Sequence, residues 1–132
     1  MLYDAECALC VTMMGALLTL DRRARLQPVA LQSQEGADLL WDLPPAARMA
    51  SLHVVAKGGR RTSAGRALAQ VLEAIPGLSL AGALLRRRPA LAELAYAAVA
   101  RHRGVLGRAI PMAAKRWGGR QIRARSNRPR RP

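Results

Sequence analysis

The chain has 132 residues, enough for one domain with or without a tail. An apolar share of 51% excludes wholesale disorder, and the lack of Phe, with only two Trp and two Tyr, demands an aliphatic core and excludes a base-stacking module. The net charge of +14, nearly all arginine, suggests nucleic acid, ribosome or an anionic membrane surface as partners, although a GC-rich genome also produces chains rich in Arg and Ala.

In chain order, Met1 to Tyr3 predicts a short strand. Ala8 to Leu20 predicts a helix with Leu9, Met13, Ala16, Leu17 and Leu20 on one face. Leu26 to Leu31 predicts a strand that Pro28 pushes toward a sheet edge or a strand start. Ser33 to Arg48 predicts loop with short helical turns. Ser51 to Lys57 and Arg60 to Ser63 predict a hairpin closed by Gly58-Gly59. Ala64 to Ile75 predicts a helix with Leu68, Val71, Leu72 and Ile75 inward, ended by Pro76-Gly77. Leu80 to Arg87 predicts a short helix. Ala90 to Leu106 predicts a longer one with Leu91, Leu94, Ala98, Val99, Val105 and Leu106 on its apolar side. From Arg101 onward there are eleven basic residues and no acid, and from Lys115 the apolar content is low. That predicts one α/β domain over 1–110, a small sheet flanked by helices, and a disordered basic tail over 111–132.

Asp4 and Glu6 stand where a signal peptide carries positive charge, and the ten apolar-rich residues 11–20 are too few to span a bilayer. These features predict a cytoplasmic protein without a transmembrane segment, whose thiols are kept reduced.

The two cysteines, Cys7 and Cys10, are too close to staple a fold. They sit after a strand and open a helix. There the first backbone N–H groups are unpaired and the peptide dipoles sum to partial positive charge, which favours a thiolate. Asp4 and Glu6 oppose that effect. One helical turn separates the thiols, so Cys7 can attack a disulfide and Cys10 can resolve the mixed disulfide. Asp4 is a candidate proton carrier for Cys10. Zinc is the weaker reading, because His53 and His102, the only imidazoles, lie at no ligand spacing.

Other residues have plainer roles. His53 is expected to face solvent or cap a sheet edge, and His102 to add surface charge. Met13 and Met14 read as core filler. Trp41 and Tyr96 read as anchors of satellite clusters. Arg86-Arg87-Arg88 reads as a solvated helix end, with a partner patch as the other reading.

The segment Tyr3-Asp4-Ala5-Glu6-Cys7-Ala8-Leu9-Cys10 resembles the opening of the DCC family of thiol–disulfide oxidoreductases. Further stretches are similar in the same order: Leu26 to Ser33, Ser51 to Val55 with Gly58-Gly59, Gly65 to Leu68, Ile75-Pro76-Gly77, and Tyr96 with Ala100 to Arg103. The resemblance implies a thioredoxin-like fold, disulfide exchange through Cys7 and Cys10, and Asp4 as the family's signature acid. Ala5 and Ala8 stand where that family usually has Gly and Pro. Met49-Ala50-Ser51 fills the region where typical thioredoxins place a cis-proline.

Two functions follow. One is an oxidoreductase that exchanges disulfides on a protein or small-thiol substrate. It uses no bound cofactor and is recycled by an electron donor. The other is a basic module that contacts nucleic acid or an anionic surface non-specifically through its tail, with a vestigial or redox-sensing Cys-x-x-Cys. The direction of electron flow is open.

Overall fold

The structure is a computed structural model that describes residues 1–128. Four short strands, β1 (Leu2–Tyr3), β2 (Val29–Ala30), β3 (His53–Val55) and β4 (Arg61–Ser63), form one sheet in the order β2-β1-β3-β4. β1 runs parallel to β2 and antiparallel to β3, and β3 pairs antiparallel with β4. Seven helices surround the sheet among the described residues: α1 (Ala8–Leu20), α2 (Gln34–Leu39), α3 (Pro45–Ala50), α4 (Ala64–Ala74), α5 (Ser79–Arg87), α6 (Pro89–Ala109) and α7 (Met112–Ser126). This is the expected α/β architecture, a small thioredoxin-like sheet flanked by helices with additional C-terminal helices. None of the helices is long and apolar enough to cross a membrane.

Alternation along the strands divides the core in two. On one face Val11, Met14 and Leu18 of α1 meet Val54, Val71 and Ile75, with Tyr3 against them. On the other, Leu2, Val29, Leu31 and Leu40 pack together. Pro28 immediately precedes β2, which is an edge strand, as a residue without an N–H requires. The β3–β4 turn runs through Gly59 at φ +77°, a conformation that a side chain disfavours.

Three sequence expectations need correction. The first is the buried face of α1. Val11, Met14, Gly15 and Leu18 are buried, whereas Met13, Ala16 and Leu20 are exposed. The helix carries no charge, so its sequence does not mark an outward side. The second is α6. Ala92 is its one buried residue, and Leu91, Leu94, Val99, Val105 and Leu106 are exposed. Its inner side instead presents Tyr96, Val99, Ala100 and Arg103 to a cavity, a stripe at helical spacing that mixes polar and apolar residues. α4 follows expectation more closely: Val71 and Ile75 are buried, and Leu68 and Leu72 are half-buried.

The third correction concerns the tail. Residues 112–126 form a helix packed along α1; residues 129–132 of the expected tail lie outside the described residues. Gly118 meets Gly15 so closely that a Cβ on Gly118 would lie 2.5 Å from the Val11 carbonyl. Further along, Arg125 is buried. Its Nη1 donates to Asp21 Oδ2 at 2.7 Å and to the Leu26 carbonyl, and its Nη2 donates to the Leu18 and Asp21 carbonyls. Asp21 also accepts the Arg25 and Leu26 N–H groups. Both terminal nitrogens of the guanidinium and both carboxylate oxygens are hydrogen-bonded, the condition under which a buried pair persists. The arginine also satisfies carbonyls at the C-terminal end of α1, where a cation is favoured. Low apolar content made this segment look unstructured. Its anchor is a partner 104 residues away.

Candidate active site

The turn between β1 and α1 sets the geometry. Cys7 is the N-cap of α1, with extended backbone (φ −78°, ψ 114°), and its Sγ accepts the Cys10 N–H at 3.3 Å. The thiol thus stands where a Ser or Asp side chain caps other helices, on the end that interacts favourably with negative charge. Both cysteines are free and half-buried. Burial, then the neighbouring Cys7 and the Asp4 carboxylate, push the Cys10 thiol up to about 12, against a smaller opposing pull from Arg103.

Asp4 precedes this turn and is held in place. Its Oδ1 accepts the Glu6 N–H at 3.0 Å and Gln32 Nε2 at 2.7 Å. Gln32 Oε1 in turn accepts the Ala5 N–H at 3.1 Å, so one side chain from beyond β2 clasps the segment leading into Cys7. Asp4 and Cys10 line the same cavity, of about 150 Å³. Leu9, Met13 and Met14 of α1, Met49 and Leu52 before β3, and Val99 of α6 make it predominantly apolar.

α6 closes the far side through two polar side chains. Tyr96 Oη accepts the Leu52 N–H at 2.8 Å, and Arg103 Nη1 donates to the Met49 carbonyl at 3.4 Å. No cis peptide occurs among the described residues, the stretch Met49-Ala50-Ser51 included. Leu52 is committed to α6 through its N–H and to Ala64 through its carbonyl.

The structure therefore brings Asp4, Cys7 and Cys10 into one turn and adds Gln32, Tyr96 and Arg103. None of those three carries a sequence motif that marks it for the site. Gln32 lies in a polar stretch without motif chemistry. Tyr96 and Arg103 are seven residues apart, two helical turns on one face, a spacing that could have paired them. Tyr96 lines this cavity rather than anchoring a satellite cluster, and Trp41 is 79% exposed rather than packed. His53 is also corrected. It is 2% exposed, with Nδ1 2.7 Å from Ser63 Oγ and Nε2 3.0 Å from the Arg48 carbonyl, because β3 lies inside the sheet rather than at its edge. His102 is exposed. Among the described residues no three His, Cys, Asp or Glu side chains converge as a metal site needs.

An open mixed sheet whose first strand leads into a Cys-x-x-Cys at the start of a helix defines a thioredoxin-like redox protein. The sequence model of the DCC1-like thiol-disulfide oxidoreductase family matches residues 1–109, and the chain belongs to that family. No curated protein and no solved structure matches it. α7 lies beyond the matched residues.

Proposed function

We propose that the protein is a thiol–disulfide oxidoreductase in which Cys7 attacks, Cys10 resolves and Asp4 moves the proton of Cys10. The observation that carries this reading is Cys7 Sγ capping α1 at 3.3 Å from the Cys10 N–H, with the Cys10 thiol desolvated one turn below. In the reducing direction the Cys7 thiolate forms a bond to one substrate sulfur. The substrate S–S bond breaks and its leaving thiolate takes a proton. Cys10 then attacks Cys7 Sγ, releasing the second substrate thiol and closing the Cys7–Cys10 disulfide. Two electrons and two protons pass to the substrate. The reverse sequence oxidises a dithiol by the same steps.

The second step needs a base, because burial and the Asp4 carboxylate still push the Cys10 thiol up once Cys7 is held in the mixed disulfide. Asp4 is held by Gln32 through Oδ1, which leaves Oδ2 outside those bonds to accept that proton. The cytoplasmic setting read from the sequence would supply the thiol reductants that recycle the pair.

The test is single-turnover reduction of a small disulfide by the pre-reduced protein, followed by mass spectrometry. Cys7→Ser should abolish the reaction, and Cys10→Ser should stop it at a mixed disulfide on Cys7. Asp4→Asn should leave formation of the mixed disulfide intact and slow its resolution by about a hundredfold near neutral pH. The deficit should shrink as pH rises and hydroxide replaces the base. A resolution rate unchanged by Asp4→Asn would remove Asp4 from the mechanism. Turnover by Cys7→Ser would remove Cys7 as the attacking group.

A further inference from the structure

A second depression lies on the other side of α1. It is an open groove of about 500 Å³ between α7 and the β1–α1 turn. Tyr3, Ala5 and Val11 form one wall, and Lys115, Arg116, Arg120 and Arg123 of α7 form the other. No acidic side chain lines it. Among the described residues none of these four cations takes part in an ion pair.

The placement of this groove follows from helix geometry. Ala5, two residues before Cys7, and Val11, one turn after it, line the groove, whereas Cys10, Met13 and Met14 line the apolar cavity. α7 runs parallel to α1, because Gly118 meets Val11 and Gly15 while Arg125 meets Leu18 and Asp21. Lys115 therefore lies one turn nearer the Cys7 end than Gly118, a rise of about 4.5 Å. The Gly15–Gly118 contact and the buried Arg125 hold α7 in that position. The cations accordingly form a fixed surface across the groove from Ala5 and Val11, which flank Cys7 in the chain.

From this we infer that the groove docks the substrate of the redox pair, and that this substrate is an acidic peptide segment carrying a disulfide beside Asp and Glu residues. The inference rests on the exchange reading above. Four unpaired cations facing a ligand with no acid between them attract carboxylates and speed encounter at low salt. Continuity with Ala5, two residues from Cys7, favours a ligand that presents a disulfide over one that only neutralises phosphates.

The experiment uses the full chain, pre-reduced, in single-turnover reduction of three disulfides at low and high salt. Two are peptides of equal length with the disulfide flanked by Asp/Glu or by Lys. The third is hydroxyethyl disulfide, which is small and neutral. The acidic peptide should react about tenfold faster than the lysine peptide at low salt, and the gap should close at high salt. Removing the four charges (Lys115→Gln, Arg116→Gln, Arg120→Gln, Arg123→Gln) should erase the preference and leave hydroxyethyl disulfide unaffected. The same net charge removed at Arg22, Arg23, Arg60 and Arg66 should preserve it. Normal reduction of hydroxyethyl disulfide without an acidic preference, or a preference that survives loss of the four α7 charges, overturns the docking proposal alone. A protein that does not reduce hydroxyethyl disulfide overturns the exchange reading and this proposal with it. A single-stranded oligonucleotide that binds tighter than the acidic peptide and displaces it assigns the groove to nucleic acid and overturns the proposal.

Discussion

His53 shows how one buried side chain ties the hairpin to the segment before it. Its ring is satisfied in the neutral state, with Nε2 donating to the Arg48 carbonyl and Nδ1 accepting from Ser63 Oγ. Desolvation, the largest effect, holds its pKa below the ordinary value near 6.5. The unfolded chain therefore takes up the proton first as pH falls, and it is the folded state that loses ground. Stability from this group is complete above about pH 6.5 and declines as pH drops from there toward the lower folded pKa. Thermal melts from pH 7.5 to 5 should show a falling Tm, and His53→Asn, which cannot titrate, should flatten that slope. A slope indifferent to the substitution would contradict the assignment. At the same scale, the cysteines of the proposed site were legible in the sequence because the chain has only two of them and they open a helix. The residues that hold them were not. Gln32 and Tyr96 act through hydrogen bonds to backbone groups distant in sequence, a role that leaves no local pattern.

Among the elements, helix contacts are made by small residues rather than by aromatic packing, as a chain without Phe requires. Gly82 approaches Glu73 and Ala69 of α4, and Gly15 approaches Gly118 of α7. This gives paired predictions of opposite sign. Gly118→Ala raises intrinsic helix propensity but drives a Cβ to 2.5 Å from the Val11 carbonyl, and backbone cannot yield as a flexible side chain does. Overpacking of about 1–3 kcal/mol should outweigh the propensity gain and lower Tm. Gly104→Ala, in the middle of α6, meets nothing within 4 Å and should raise stability by up to about 1 kcal/mol. Equal effects at both sites would contradict the close α1–α7 contact. Helices α1, α4, α5 and α6 were legible because their ends carry stop signals such as Pro76-Gly77 and Pro89. Their buried faces were less so. α1 and α6 are apolar or alanine-rich nearly all round, so periodicity does not choose a side; α7 is the partner that does so for α1, and α4 is the main one for α6.

For the whole molecule, α7 changes the relation between charge and function. As a loose tail its arginines would serve any polyanion. As a helix pinned by Arg125 and Asp21 it lines a groove with its cations, opposite Ala5 and Val11, and puts Ile122 into the core. Breaking such a pair by removing one partner costs about 3–5 kcal/mol, so the basic helix is part of the fold. The order of strands and helices, and the turn that bears the thiols, could be read from sequence because each rests on local rules. The anchoring of α7 could not, because it rests on contacts more than a hundred residues apart.

The central claim is that Cys7 and Cys10 form one reversible two-electron couple. Equilibrating the protein across a series of thiol/disulfide redox buffers, alkylating, and counting free thiols by mass spectrometry tests it directly. The account predicts that both thiols disappear together at a single defined potential as an intramolecular disulfide, and that the value gives the direction of electron flow. No intramolecular disulfide at any poise, or one cysteine modified while the other stays free, would contradict it.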